Sequence, residues 1–435
     1  MQTQTKRAAW AVVDECFARR ILACAVLVWG TVAGAERDGL AGEPTARPRL
    51  PRDKLLVYRG PDGIPCEART IEEWSKRRAE ILDGMQLVMG RLPGAEKLVP
   101  LDVQVDEEVD CGGYVRRLIT YASEPGSRVP AYLLIPKPAL EMYAKPVPAV
   151  LCLHGTDNVV GHGTVVGLGK RPNRQYASEL AERGYVTLAP NYPLLAKYQP
   201  DLKALGWESG TLKAVWDNLR GLDLLESLPY VKRGGFGAIG HSLGGHNAVY
   251  TSVYDDRIRA VVSSCGLDSY LDYYGGKIDN WYPEKGWCQT RYMLKLADYR
   301  GRLEQIPFDF HELVGALAPR HVLIIAPLGD TNFRHDSVDR IAAAAREVFQ
   351  DALLVCSVNN NRPSAEQAAR RVRERKEVDL GAVEVVARRQ NFEEAKRGLR
   401  DGDEDAGGIV DAHEGIFGVR REQSVRDNAF RLFDD

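Results

Sequence analysis

The stretch Gly235-Phe236-Gly237-Ala238-Ile239-Gly240-His241-Ser242-Leu243-Gly244-Gly245-His246-Asn247-Ala248-Val249 decides the fold. Residues 235–239 form a short apolar run, and residues 243–253 have the composition of a helix, so a buried strand must turn sharply into a helix at Ser242. Gly240-His241-Ser242-Leu243-Gly244 is G-x-S-x-G in the strand-turn-helix setting the motif requires. The residue types follow from sterics. A turn this tight holds the serine in a strained backbone and needs small neighbours, which Gly240, Gly244 and Gly245 supply. Ser242 would project above a sheet edge, with the Leu243 N–H at the helix start aimed at a developing oxyanion.

Outward from this elbow, residues 147–358 alternate short apolar runs with helical segments, the signature of a parallel sheet with crossover helices. Strands are expected at 149–153, 185–189, 235–239, 258–262, 321–326 and 353–358. Helices are expected at 175–183, 212–228, 243–253 and 338–349. Upstream, Thr70 is placed to cap a helix over 71–89 whose Trp74, Ile81, Met85 and Met89 share a face, before Gly90 and Pro93 stop it. Residues 101–109, 114–121 and 129–135 read as antiparallel strands. Residues 266–310 interrupt the alternation with Tyr270, Tyr273, Tyr274, Trp281, Tyr282, Trp287 and Tyr292. This insertion reads either as a substrate wall, with Trp281, Tyr282 and Trp287 as binding residues, or as a small core beneath a long loop. Residues 359–408, rich in Arg, Glu and Asp, read as an exposed charged insertion.

A serine hydroxyl is a weak nucleophile until a histidine removes its proton, and that histidine needs a carboxylate to fix its tautomer. On this type of elbow the chain order is serine, acid, histidine. Asp330 follows the strand 321–326 in Pro327-Leu328-Gly329-Asp330, at the end of the strand, and is the expected acid; Asp336 lies closer to the next helix and could cap it. Of the histidines after Asp330, His335 is too near to return on its own loop, which leaves His413 as the base. Leu151-Cys152-Leu153-His154-Gly155-Thr156 ends an earlier strand, where a backbone N–H of Gly155 or Thr156 completes the oxyanion hole. His241 and His246 read as structural or pocket-lining. Residues 161–170 are glycine-rich, but the spacing misses a phosphate-binding loop and Arg171 stands where Ser or Thr is needed.

Composition narrows the partners. In 435 residues, 58 Lys and Arg offset 60 Asp and Glu for a net charge of −2, which gives no electrostatic footprint for nucleic acid. Hydrophobic residues at 44% and charged residues at 27% describe a folded globular chain. Arg19-Arg20, the apolar run 21–32 and Ala33-Gly34-Ala35 follow the order of a cleaved export signal, so residues 1–35 are expected to be removed and the protein secreted or periplasmic, without a stable membrane anchor. Residues 36–53 read as a linker, 54–100 as a helical extension and 101–435 as the main domain. Two of the eight cysteines, Cys16 and Cys24, would leave with the signal. Cys152 and Cys356 suit the core, and Cys66, Cys111, Cys265 and Cys288 could pair. No cysteine or histidine spacing suits a metal, and no cofactor is expected.

With these motifs in place, the chain resembles the α/β-hydrolase superfamily, and within it the secreted bacterial branch similar to dienelactone hydrolases, acetyl xylan esterases and prolyl-oligopeptidase-like domains. The resemblance covers about residues 100–350. It is carried by Leu153-His154-Gly155-Thr156, by Gly240-His241-Ser242-Leu243-Gly244-Gly245 and by Ala326-Pro327-Leu328-Gly329-Asp330-Thr331-Asn332-Phe333, with 74–93 similar to a helical lead-in. It implies an α/β-hydrolase fold: a mostly parallel eight-stranded sheet with helices on both faces and an N-terminal helical and antiparallel extension. It also implies a serine ester hydrolase acting on a small-molecule or carbohydrate ester, acetylated sugars included. Dienelactone hydrolases proper use a cysteine nucleophile, so Ser242 does not imply that activity. The chain departs from the branch in the 83 positions between Asp330 and His413, where a few tens are common; the charged segment must loop out for the triad to close. Two other readings stand beside this one: a serine peptidase, against which the lack of a propeller-sized N-terminal domain argues, and a catalytically silent binding module.

Overall fold

The computed structural model describes residues 49–349 and 353–358. The export signal, most of the linker, the charged segment 359–408 and His413 lie outside the described residues.

The extension opens with a small antiparallel pair, β1 (Val57–Arg59) and β2 (Pro65–Glu67), followed by α1 (Ile71–Met89). The helix starts where the sequence places it. Thr70 accepts the N–H of Glu73, and the Glu73 carboxylate accepts the N–H of Thr70, so two otherwise orphaned donors are satisfied reciprocally. Its buried face, Ile81, Met85, Val88 and Met89, joins the main core, and Arg77 reaches the buried carboxylate of Glu312 at 2.6 Å.

Three antiparallel strands follow: β3 (Gln104–Asp110), β4 (Tyr114–Glu124) and β5 (Ser127–Pro136). The parallel part consists of β6 (Val147–Leu153), α2 (Tyr176–Glu182), β7 (Val186–Pro190), α3 (Gly210–Ser227), β8 (Val231–His241), α4 (Leu243–Tyr254) and β9 (Ile258–Ser264). After the aromatic stretch come α5 (Phe310–Gly315), β10 (His321–Pro327), α6 (His335–Phe349) and β11 (Leu353–Val358). The sheet order is β11-β10-β9-β8-β6-β7-β5-β4-β3.

One sheet therefore holds nine strands rather than the expected eight. The antiparallel strands continue the same sheet, because Ala131–Leu134 of β5 pair antiparallel with Thr187–Pro190 of β7 and carry β4 and β3 outward with them. The remaining contacts, β7 to β6 and onward to β11, are parallel.

Helices cover both faces, and the strand sequences say why. Successive side chains point to opposite faces, so Leu151, Ala238, Val261, Val322 and Ile324 join one buried cluster with α3 and α4 residues such as Leu222 and Val249. Val150, Cys152, Ile239, Val262 and Leu323 join the other, with Ala177 and Leu180 of α2. Strands buried on both sides read as continuous apolar runs, which is what the sequence shows.

Candidate active site

Parallel register brings the critical loops together. Leu153 of β6 lies beside Gly240 of β8, His241 beside Ser264 of β9, and Ser264 beside Ile325 of β10. The residues that follow, Gly155 and Thr156, Ser242, Cys265 and Asp330, all leave the carboxyl end of the sheet, where open α/β sheets place their ligands.

Ser242 sits at φ 54°, ψ −119°, a conformation that a non-glycine residue holds only under constraint. The constraint is visible. The Ser242 N–H donates to the Ser264 carbonyl at 2.8 Å, and its own carbonyl accepts from Gly245 and His246 at 2.8 and 3.2 Å. A Cβ on Gly240 would run into the carbonyl of Gly244, and one on Gly244 into the carbonyl of Leu153, so backbone meets backbone on both sides of the serine. Leu243 begins α4, so its N–H has no carbonyl of an earlier helical turn to bond.

Opposite the elbow, a Cβ on Gly155 would lie 3.7 Å from the Ser242 Cβ. His154 fixes this loop. Its Nε2 accepts the Tyr192 N–H at 2.9 Å, so Nδ1 carries the proton and donates to the Gly155 carbonyl at 2.7 Å. A trans peptide then turns the Thr156 N–H away from the His154 ring. Burial pushes the His154 pKa down to about 4, which keeps the ring neutral. Thr156 Oγ1 is 3.0 Å from the hydroxyl of Tyr292, so the aromatic segment buttresses this loop.

Asp330 stands in the loop after β10, where its Oδ1 accepts the N–H groups of Asn332 and Phe333 at 2.8 and 3.2 Å. Asp336 lies in the first turn of α6 and is held by Arg334 and Arg340, which pull its pKa to about 2. It is a surface ion pair at a helix start. His413 lies outside the described residues. His241 borders Ser242, but burial, Arg174 and Arg171 push its pKa to about 3, so it is a poor base. His246 packs among Tyr250, Trp287 and Phe333.

The three aromatic candidates separate. Trp281 is 1% exposed, edge-on to Tyr270, and Trp287 is 5% exposed and stacked on Tyr273 at 4.5 Å. Both belong to the core, which corrects their reading as substrate wall: Trp281 meets Tyr270 and Tyr273 edge-on, and Trp287 stacks on Tyr273 and Phe333 and also touches Tyr270 and Phe310. Tyr282 is 43% exposed with Arg300 stacked 4.0 Å over its ring.

The cleft at Ser242 is open to solvent, has a cavity volume of about 90 Å³ and is lined by Gly155, Thr156, Asp157, Arg171, Arg174, Tyr176 and His241, among others. Arg171, Arg174 and Tyr176 carry no motif that would have singled them out in the sequence. Among the described residues, Cys66, Cys111, Cys152, Cys265 and Cys288 are free thiols, no group of His, Cys, Asp and Glu is arranged to hold a metal ion, and no helix is long and apolar enough to cross a membrane.

A family model described as "Glucuronyl esterase, fungi" matches residues 205–352, and that of the Dienelactone hydrolase family matches residues 130–275. The Bacillus subtilis (strain 168) protein YtaP, described only as a hydrolase, is 25% identical over 233 residues, 51% of this chain and 72% of its own. A glucuronoyl esterase from Solibacter usitatus superposes with a TM-score of 0.53 at 21% identity, covering 70% of this chain and 86% of that one. A glucuronoyl esterase of carbohydrate esterase family 15 from Caldicellulosiruptor kristjansonii gives 0.51 at 18% identity, covering 73% and 87%.

Proposed function

We propose that this chain, an α/β-hydrolase similar to dienelactone hydrolases and acetyl xylan esterases, is an exported serine esterase that cleaves carboxylic esters of carbohydrates through an acyl-enzyme on Ser242. Ester hydrolysis is the activity class of the enzyme; the carbohydrate substrate, the export and the triad are our reading. The observation that carries it is Ser242 held at positive φ at the start of α4, facing Gly155 across the cleft.

In this mechanism His413 takes the proton from Ser242 Oγ as Oγ attacks the ester carbonyl. The carbonyl oxygen, now negative, is held by the N–H of Leu243 and that of Gly155 or Thr156. The alcohol leaves with the proton from His413. Water then gives a proton to His413, attacks the acyl carbon and releases the acid and free Ser242. Asp330 holds the imidazole in the reactive tautomer. The sequence order at 19–35 supports export, and the carbohydrate esterases that share the fold support a sugar ester.

The test is hydrolysis of 4-nitrophenyl acetate by the chain beside Ser242→Ala and His413→Ala, followed by acetylated and methyl-glucuronoyl xylan. Turnover lost in both variants supports the triad. A parent with no turnover on any of these esters would support the silent binding module instead.

A further inference from the structure

The loop after β6 has little packing of its own. Thr156, Asn158 and Val159 are exposed, and Gly155 and Asp157 are half-buried. A donor that holds an oxyanion must nevertheless stay within about 0.5 Å of its productive place. What fixes this loop is a circuit of hydrogen bonds that closes on itself.

The circuit starts at Tyr192, buried in the segment after β7. Its N–H donates to His154 Nε2 at 2.9 Å, and His154 Nδ1 donates to the Gly155 carbonyl at 2.7 Å. The Tyr192 hydroxyl donates to the Arg291 carbonyl at 2.8 Å, and burial raises its pKa well above the ordinary tyrosine value, so it stays a donor. Arg291 is followed by Tyr292, whose hydroxyl is 3.0 Å from Thr156 Oγ1. The peptide between Gly155 and Thr156 is thus gripped on both sides, its carbonyl by His154 and the residue that bears its N–H by Tyr292.

The far side of the circuit is rigid for a local reason. The first N–H groups of a helix have no partner within it. At the start of α3 those of Gly210 and Thr211 donate to the carbonyls of Thr290 and Tyr292, each at 3.1 Å, and a Cβ on Gly210 would run into the Arg291 carbonyl. Residues 290–292 therefore sit backbone to backbone on a helix of 18 residues. The Arg291 guanidinium adds a second tether, to Asn158 Oδ1 at 3.0 Å.

We propose that Tyr292, with Tyr192 behind it, is a positioning residue for the oxyanion donor: its hydroxyl holds the Gly155–Thr156 peptide in register with Ser242. The effect on turnover rests on the esterase reading; the holding of the loop does not.

Two measurements test it. Tyr292→Phe keeps the aromatic ring and removes one hydroxyl. On 4-nitrophenyl acetate its kcat and kcat/KM should fall together by about tenfold, the scale of one hydrogen bond, with KM unchanged within about twofold, because the misplaced donor acts in the transition state. Thr156→Val removes the other end of the same bond, so the double variant Tyr292→Phe/Thr156→Val should be no slower than the slower single one. Full turnover in Tyr292→Phe, or losses that multiply in the double variant, overturns the proposal. The second measurement is amide hydrogen exchange of peptides covering 153–161, where the N–H groups of Val159, Val160 and Gly161 are held by Asp157 Oδ1 and report on the loop. Their exchange should speed up several-fold in Tyr292→Phe while exchange in α4 and the urea midpoint move little. Unchanged exchange contradicts the proposal. A parent that hydrolyses no ester, with faster loop exchange in Tyr292→Phe, would remove the esterase reading and leave the holding of the loop standing; normal turnover with unchanged exchange would do the reverse.

Discussion

The elbow around Ser242 and the aromatic stretch after β9 both follow carboxyl ends of neighbouring strands, yet they are built from opposite materials. At the elbow, Gly240 and Gly244 let backbone touch backbone, and stability is given up to hold one side chain at φ 54°. In the aromatic stretch, Tyr270, Tyr273, Trp281 and Trp287 bury their rings against one another and against Phe310 and Phe333, and hold the neighbouring loops in place. In the proposed mechanism the first region spends strain on chemistry; the second supplies rigidity. Tyr292 ties the aromatic stretch to the Gly155 loop through Thr156, and Tyr274 ties it to the Asp330 loop through a hydrogen bond to Asn332.

That contrast is open to attack from the largest effect down. Ser242→Ala should lower kcat on an activated ester by about 10⁴-fold or more with little change in the urea midpoint, since it removes chemistry and no packing. Gly244→Ala should cost more than about 4 kcal/mol or prevent folding, because the added methyl meets the Leu153 carbonyl; a stable, active variant would break the steric account of the elbow. Trp287→Ala should cost about 3–5 kcal/mol in urea unfolding, whereas Tyr282→Ala, half exposed, should stay within about 0.5 kcal/mol. Equal costs would mean that the two rings do not differ as described.

A pH titration sharpens the same comparison. His154, His162 and His246 have pKa values pushed by burial to about 4, and His241 by burial and two arginines to about 3. Unfolded histidine titrates near 6.5, so between about pH 6.5 and 4 the unfolded chain binds more protons than the folded one. Their contribution to stability is complete above pH 6.5 and is lost as pH falls through that window. The thermal midpoint should drop across it, and His246→Phe should flatten the slope by roughly one quarter of what these four histidines contribute.

Much of this was legible in the sequence because its causes are local. A capping Thr70 three residues before Glu73 starts a helix wherever it stands, and G-x-S-x-G after an apolar strand permits only one kind of turn. The short continuous apolar runs of β6, β8, β9 and β10 placed the sheet for the same reason. What was not legible depends on partners distant in the chain. Whether Trp281 and Trp287 face solvent or Tyr270 is decided by how residues 266–310 lie against α5, and aromatic density says nothing of that. The sequence singles out Arg171 only as the residue that breaks a phosphate loop and does not single out Arg174; that both line the cleft at Ser242 depends on the fold of residues 161–174. That the three antiparallel strands continue the main sheet was not legible, because pairing of β5 with β7 joins residues about 55 positions apart.

The most direct test of the central claim is labelling of the full chain by a fluorophosphonate, with the modified peptide identified by mass. The account predicts one adduct, on Ser242, absent in Ser242→Ala and formed far more slowly in His413→Ala. A parent that stays unlabelled, or is labelled at another residue, would contradict it.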